Sequence, residues 1–134
     1  MKGLDTNILV YALAGEEEKR RTAEEILRDV IEDPGSYRIA AQVLAEMVYV
    51  ISRKAPEVLE EAISMANLLS RVLEVLSYTH TEVLQAAGSP ARYFWDRLLA
   101  YTYRNNGVDV ILSEDEKPYK EIIRVENPFK KAQI

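Results

Sequence analysis

Apolar residues along this chain come in short blocks whose spacing switches between the period of a strand and that of a helix. Residues 1–4 read as a strand leading into a turn, and 7–14 as a short apolar helix that stops at Gly15. Over 16–33, Ala23, Ile26, Leu27, Val30 and Ile31 recur at helical spacing with charge on the other side, and Pro34-Gly35 ends the run. Residues 37–40 form a strand candidate. A helix over 42–54 carries Val43, Met47, Val50 and Ile51 on one face, and Ala55-Pro56 stops it. Pro56 suits the first turn of the next helix, 57–70, with Leu59, Ala62, Ile63, Ala66 and Leu69 inward.

The second half continues the alternation. Residues 72–78 alternate and contain β-branched side chains, which predicts a strand. One or two helical turns over 81–87 stop at Gly88-Ser89-Pro90, and a helix over 93–106 ends in Asn105-Asn106-Gly107, a suitable left-handed cap. Residues 108–112 make the clearest strand, apolar throughout except for Asp109. A short helix near Lys120, a strand over 123–125 and a basic tail complete the chain. Short apolar strands alternating with helices predict an α/β fold with a mainly parallel central sheet and helices on both faces. Sites in such folds lie at the carboxyl ends of the strands.

Composition narrows the chemistry. With 134 residues the chain fits one domain, 1–134. It has no cysteine and a single histidine, His80. That excludes thiolate nucleophiles, Cys-ligated zinc and multi-histidine metal sites, so carboxylates are the main reactive groups available. Neither a signal-peptide pattern nor an apolar run long enough to span a bilayer is present, and the expectation is a cytoplasmic protein without a membrane partner. A net charge of −5 argues weakly against nucleic acid as a partner unless a bound cation and a local basic rim reverse the sign where it matters.

With 22 acidic residues, identity alone says little and context decides. Asp5 ends the first strand in "MKGLDTNILVYAL". Glu46 is the only charge between Arg38 and Arg53. Asp96 stands among aromatic and aliphatic residues in "YFWDRLLAYTY". Asp115 lies just past the best strand, in "VDVILSED". Each has a plainer reading: Asp5 and Asp115 as helix caps, Glu46 on a solvent face, Asp96 paired with Arg92 or Arg97. One convergent site accounts for all four. Two carboxylates about 4 Å apart repel by roughly 4 kcal/mol at an effective dielectric near 20, so convergence requires a divalent cation. An all-oxygen donor set points to Mg²⁺ or Mn²⁺, and such an ion suits phosphodiester hydrolysis by an activated water.

"LDTNILVYAL", the Glu in "AQVLAEMVYVI", "YFWDRLLAYTYRNNGVDVILSED" and "IIRVENPF" together resemble a PIN-domain ribonuclease, and more closely the VapC-type toxins of prokaryotic toxin–antitoxin pairs. The resemblance runs from Met1 to about Phe129. It implies a three-layer α/β/α sandwich and an acidic metal and catalytic site of Asp5, Glu46, Asp96 and Asp115. Thr6, Asn7 and Ser113 would orient the carboxylates, and Glu114 would stand outside the ligand set. It further implies an endoribonuclease acting on RNA, a cognate antitoxin that covers the groove, and a homodimer; Val58, Met65 and Leu68 form an apolar stripe suited to an additional buried surface. Arg97, Tyr101 and Tyr103 are bulky where such toxins often have small residues. Arg97 could contact substrate phosphate, or pair with Glu114 or with an acid of a partner. Lys117 and Lys120 could form a phosphate-facing rim, although surface lysines are more often only solvated, and His80 is read as structural or exposed. The alternatives are a PIN nuclease of RNA processing or decay without a toxin role, a catalytically silent PIN-fold scaffold, and a helical protein with capping aspartates that binds no metal.

Overall fold

Strands form where the apolar blocks are shortest and most continuous: β1 (Lys2–Leu4), β2 (Tyr37–Ala40), β3 (Val75–Leu76), β4 (Val110–Leu112) and β5 (Arg124–Glu126). The helices are α1 (Thr6–Ala14), α2 (Glu17–Glu32), α3 (Ala41–Lys54), α4 (Leu59–Val72), α5 (His80–Ala86) and α6 (Phe94–Asn105). Single 3₁₀ turns at Pro34–Ser36, Pro56–Val58, Ala91–Tyr93 and Lys117–Tyr119 join them, three of them placing proline in the first turn. The computed structural model describes residues 1–130, so Lys131 and the rest of the basic tail lie outside the described residues.

All strand pairs are parallel, in the order β3-β2-β1-β4-β5. This is the expected α/β/α sandwich. Its layers follow from handedness. Right-handed crossovers from β1 to β2 and from β2 to β3 step one way across the sheet, whereas β3 to β4 and β4 to β5 step the other way. The reversal falls between β1 and β4, and a doubly wound sheet opens its crevice at such a point, outside the strand ends.

The core explains two residues. Tyr103 is fully buried, donates its hydroxyl to the Leu4 carbonyl and accepts from the Ala40 amide at 3.1 Å, tying α6 to β1 and β2. Its ring lies over Gly3, where an added Cβ would meet three ring atoms at 2.8 Å. The bulk at Tyr103 is therefore matched by the missing side chain at Gly3. Gly3→Ala is expected to cost about 1–3 kcal/mol, because the ring is locked by two hydrogen bonds and cannot retreat. Urea unfolding with an unchanged m-value would measure it.

Some expectations need correction. Ile31 and Ile63, assigned inward, are each 47% exposed. Helical periodicity shows where an apolar stripe runs, but the width of the neighbouring element decides how much of it is covered: on α4 only Ala62 and Leu69 are fully enclosed. Of the Val58, Met65 and Leu68 stripe, Val58 and Met65 pack against the core and Leu68 stays open. The strand expected over 72–78 shrinks to Val75–Leu76, since α4 continues through Val72. The short helix near Lys120 is the single turn Lys117–Tyr119. Gly107 takes φ +79° after α6, as the Asn-Asn-Gly pattern predicts. His80 is exposed in the first turn of α5, where Thr79 and Glu82 form a capping box.

Candidate active site

β1 and β4 run side by side and deliver their next residues to the same crevice. The Asp5 amide continues the ladder to the Leu112 carbonyl at 3.1 Å, and Ser113 pairs with Glu126 at 3.0 Å. Asp5 then caps α1: its Oδ1 accepts from the Thr6 amide at 2.7 Å. Its Oδ2 is left for tertiary partners and accepts from Ser113 Oγ and from the Tyr119 hydroxyl, each at 2.6 Å. The capping role and a role in the crevice are therefore compatible, one oxygen serving each.

The other three acids arrive from different elements. Glu46 lies half-buried on α3, accepting from Thr6 Oγ1 at 3.2 Å and from Gln42 Nε2 at 2.7 Å. Asp96 lies in the first turn of α6, its Oδ1 3.4 Å from the Tyr119 hydroxyl that also holds Asp5. Asp115 is exposed on the loop after β4, within 3.4 Å of Asn7 Nδ2, while its amide donates to Ser113 Oγ at 3.0 Å. Asn7 also donates to Ser113 Oγ at 3.2 Å. Thr6, Asn7 and Ser113 thus connect three of the four carboxylates to one another through short polar links.

Burial and like charge act on two of the four. The carboxyl of Asp96 is pushed up from 3.8 to about 6, first by burial and then by the charges of Asp5, Glu46 and Asp115. Asp5 is also raised, mainly by burial, against the opposing pull of its hydrogen bonds from Ser113, Tyr119 and Thr6. Neither Arg92 nor Arg97 neutralises Asp96, which enters no ion pair among the described residues. Arg97 instead donates to the Pro118 carbonyl at 3.3 Å.

No three Asp, Glu or His side chains among the described residues close on one point as a finished metal cage. The donor chemistry nevertheless suits a hard divalent cation. Every donor is oxygen, the charges repel, and Mg²⁺ commonly binds through one or two carboxylates while keeping several waters.

Glu114 lines the cleft beside Asp96 and Asp115 but differs from them in having a cation of its own. It accepts from Tyr11 at 3.1 Å, and Lys19 Nζ lies 2.9 Å away; that pairing answers the question of an Arg97–Glu114 bridge. Lys117 and Lys120 line one depression with Glu121, Ile123 and Val125, and Lys117 alone of the two also lines the cleft that holds Asp96, Asp115 and Tyr93. Two neighbours were missed, and a third, Arg92, is expected only as a partner of Asp96. Tyr119, fully buried, bridges Asp5 and Asp96; Gln42 orients Glu46; Arg92 sits with Arg97 over the Tyr93 ring, at 4.7 and 5.7 Å. Of the two missed, only Gln42 left a trace in sequence, four residues before Glu46 on one helix face.

The PIN-domain family matches residues 3–124. No curated protein matches the chain. Among solved structures, FitAcB from Neisseria gonorrhoeae is 17% identical with a TM-score of 0.69, covering 96% of this chain and 99% of that one. A toxin–antitoxin complex from Klebsiella pneumoniae is 18% identical with a TM-score of 0.67, covering 96% and 98%. VapC20 from Mycobacterium tuberculosis, a toxin that cleaves the sarcin–ricin loop, is 18% identical with a TM-score of 0.64, covering 83% and 87%. Identities this low speak for the fold. The family match over most of the chain and the doubly wound parallel sheet agree, and the protein belongs to the PIN-domain family.

Proposed function

We propose that this protein is a Mg²⁺- or Mn²⁺-dependent endoribonuclease and the toxin of a toxin–antitoxin pair. The observation that carries the nuclease reading is the set of polar links among acids from β1, α3, α6 and the loop after β4. Tyr119 joins Asp5 to Asp96, Thr6 joins Asp5 to Glu46, and Ser113 with Asn7 joins Asp5 to Asp115. None of the four enters an ion pair among the described residues. Asp5, Glu46, Asp96 and Asp115 would hold the ion. When bound, it supplies an activated water and neutralises charge on the phosphodiester oxygens.

The chain's own residues do the rest. Ser113, Tyr119 and the Thr6 amide fix Asp5 in one orientation, and Gln42 and Thr6 do the same for Glu46. Asp96, near 6, is ionised at neutral pH and takes up a proton in mild acid. The hydroxyls of Thr6, Ser113 and Tyr119 donate to the carboxylates, so no covalent RNA–protein intermediate is expected. Arg92, Arg97 and Lys117 surround Tyr93, whose phenol is drawn down first by its hydrogen bond with Arg92 and further by the nearby cations. They form a local basic rim beside the acids, which an overall charge of −5 does not reveal.

The toxin role draws on solved relatives in fold that are toxin–antitoxin complexes, one of them VapBC from Salmonella typhimurium bound to DNA. The antitoxin would cover the acids with an Arg or Lys. A homodimer would draw on the open Leu68 and Ile63 of α4. Among the described residues no helix is long and apolar enough to cross a membrane.

The decisive assay incubates purified protein with a mixed cellular RNA pool in Mg²⁺ or Mn²⁺, with and without EDTA, and maps the new ends. Discrete ends that vanish with EDTA are expected; an intact pool would remove the nuclease reading. Arg97→Ala is expected to raise KM for RNA about 10- to 150-fold, the worth of one charge-assisted contact, while leaving metal affinity unchanged. An equal loss in both would make Arg97 a structural residue through its bond to Pro118.

A further inference from the structure

Beside the acids lies a groove of about 710 Å³ lined by Ala41, Gln42, Ala45, Glu46, Tyr49, Tyr78 and Trp95. Three of these are aromatic residues that leave about half their surface open: Tyr49 59%, Tyr78 44% and Trp95 57% exposed. Large apolar surfaces gathered in one concave place mark a binding region. We propose that this groove is a base-stacking subsite, taking unpaired nucleobases of the RNA strand whose phosphodiester lies at Asp5, Glu46, Asp96 and Asp115. This rests on the RNA-cleavage reading above.

The two regions are continuous. Glu46 belongs to both, and Trp95 immediately precedes Asp96 on α6. Gln42 Nε2 donates to Glu46 Oε1 at 2.7 Å and to the Trp95 carbonyl at 2.8 Å, so one amide ties α3 to α6 at the junction. The positions of the rings relative to the carboxylates are set by that link. Both of its partners are acceptors, which fixes the amide's orientation and leaves Gln42 Oε1 buried with no donor.

Lining chemistry favours bases over phosphate and over a protein helix. No Lys or Arg lines the groove, whereas Lys117 lines the neighbouring cleft of Asp96 and Asp115. The groove thus offers phosphate no cation, and its three rings suit flat, neutral groups. No Leu, Ile, Val or Met lines it, although aliphatic side chains commonly line grooves that receive amphipathic helices. Ala41 and Ala45 keep the floor low between the rings. Arg53 braces one of the rings, its guanidinium 5.6 Å from the Tyr49 centroid and donating to the hydroxyl at 2.7 Å. Stacking on aromatic rings tolerates any base, and it requires the base to be unpaired. The proposed substrate class is therefore single-stranded RNA or loops, with duplex disfavoured.

Trp95 is the only tryptophan, so its fluorescence reports on this groove alone. Stopped-flow mixing in Mg²⁺, read before cleavage, would compare a mixed-sequence 12-mer oligoribonucleotide, its duplex, and an abasic ribose-phosphate oligomer of equal length. The single strand is expected to quench Trp95, and the abasic oligomer to bind about 5- to 150-fold more weakly without quenching. In steady-state cleavage, Trp95→Ala and Tyr49→Ala are expected to raise KM over the same range with kcat largely kept, and Trp95→Phe to restore most of the loss. Trp95→Ala retains the backbone carbonyl that Gln42 uses, and thermal melting checks its fold. Base-dependent quenching by a wild-type protein that cleaves no RNA would uphold the subsite and end the nuclease reading. Intact cleavage with unchanged KM in both alanine variants, and equal binding of the abasic oligomer, would overturn the subsite and leave the rings to a protein partner.

Discussion

Asp96→Asn is expected to lower RNA cleavage by about 10²–10³-fold or more, the scale seen when one preorganised electrostatic group is removed, while the metal-free protein folds at least as stably as before. The substitution keeps the shape of the side chain and removes one charge from a group already burdened by Asp5, Glu46 and Asp115. Asp5→Asn is expected to lose cleavage as fully but to fold less well. Asp5 Oδ2 receives two hydroxyl donors and Oδ1 a backbone amide, and Ser113 Oγ already accepts from Asn7 and from the Asp115 amide. An amide nitrogen placed there finds an acceptor in the Tyr119 hydroxyl but not in Ser113. Gel-resolved cleavage rates and urea midpoints for both variants check this. Full activity in either would remove that carboxylate from the site.

The second large effect is on stability. Mg²⁺ or Mn²⁺ at a hundredfold excess over its Kd stabilises the folded state by about 2.7 kcal/mol, roughly 10 °C in melting temperature for a domain of this size. The need for it depends on pH. The folded Asp96 carboxyl titrates near 6 against an ordinary value of 3.8, so between those values the folded state holds a proton that the unfolded chain has released. Stability from this group is thus highest below about pH 4 and falls as pH rises through 6. Unscreened, the shift corresponds to about 3 kcal/mol; for a half-exposed carboxyl, solvent screening reduces it to about 1–2 kcal/mol. Asp5, raised mainly by burial, acts in the same direction. In EDTA, melting curves from pH 4 to 8 for wild type and Asp96→Asn should therefore diverge above pH 5, the variant being the more stable by several degrees. Metal should close most of the gap. Parallel curves, or a melting temperature indifferent to millimolar metal, would count against an acidic metal site.

Different residues were legible in the sequence for different reasons. Asp5 and Asp115 stood out because a strand boundary can be read locally and the strand ends of a parallel sheet are where its crevice opens. Glu46 and Asp96 stood out because charge interrupts apolar helices. Tyr119 did not, since a tyrosine after Pro118 in a polar loop carries no periodic signal; its role exists only because the Lys117–Tyr119 turn folds back under Asp5 and Asp96. Ile31 and Ile63 show the converse: their period is helical, but nothing in it states how wide a face the neighbours cover.

By itself the sequence determined the order of elements, the parallel sheet and the four acids that interrupt it. These depend on local period, turn chemistry and the scarcity of charge in apolar segments, all of which act over a few residues. Only the tertiary structure decided which polar groups hold those acids, that Glu114 pairs with Lys19 at the edge of the cleft Lys117 also lines, and that Tyr49, Tyr78 and Trp95 gather in one groove. Those relations join residues up to 114 positions apart. They are set by the reversal of strand order between β1 and β4 and by the Gln42 link from α3 to α6, which no local pattern encodes.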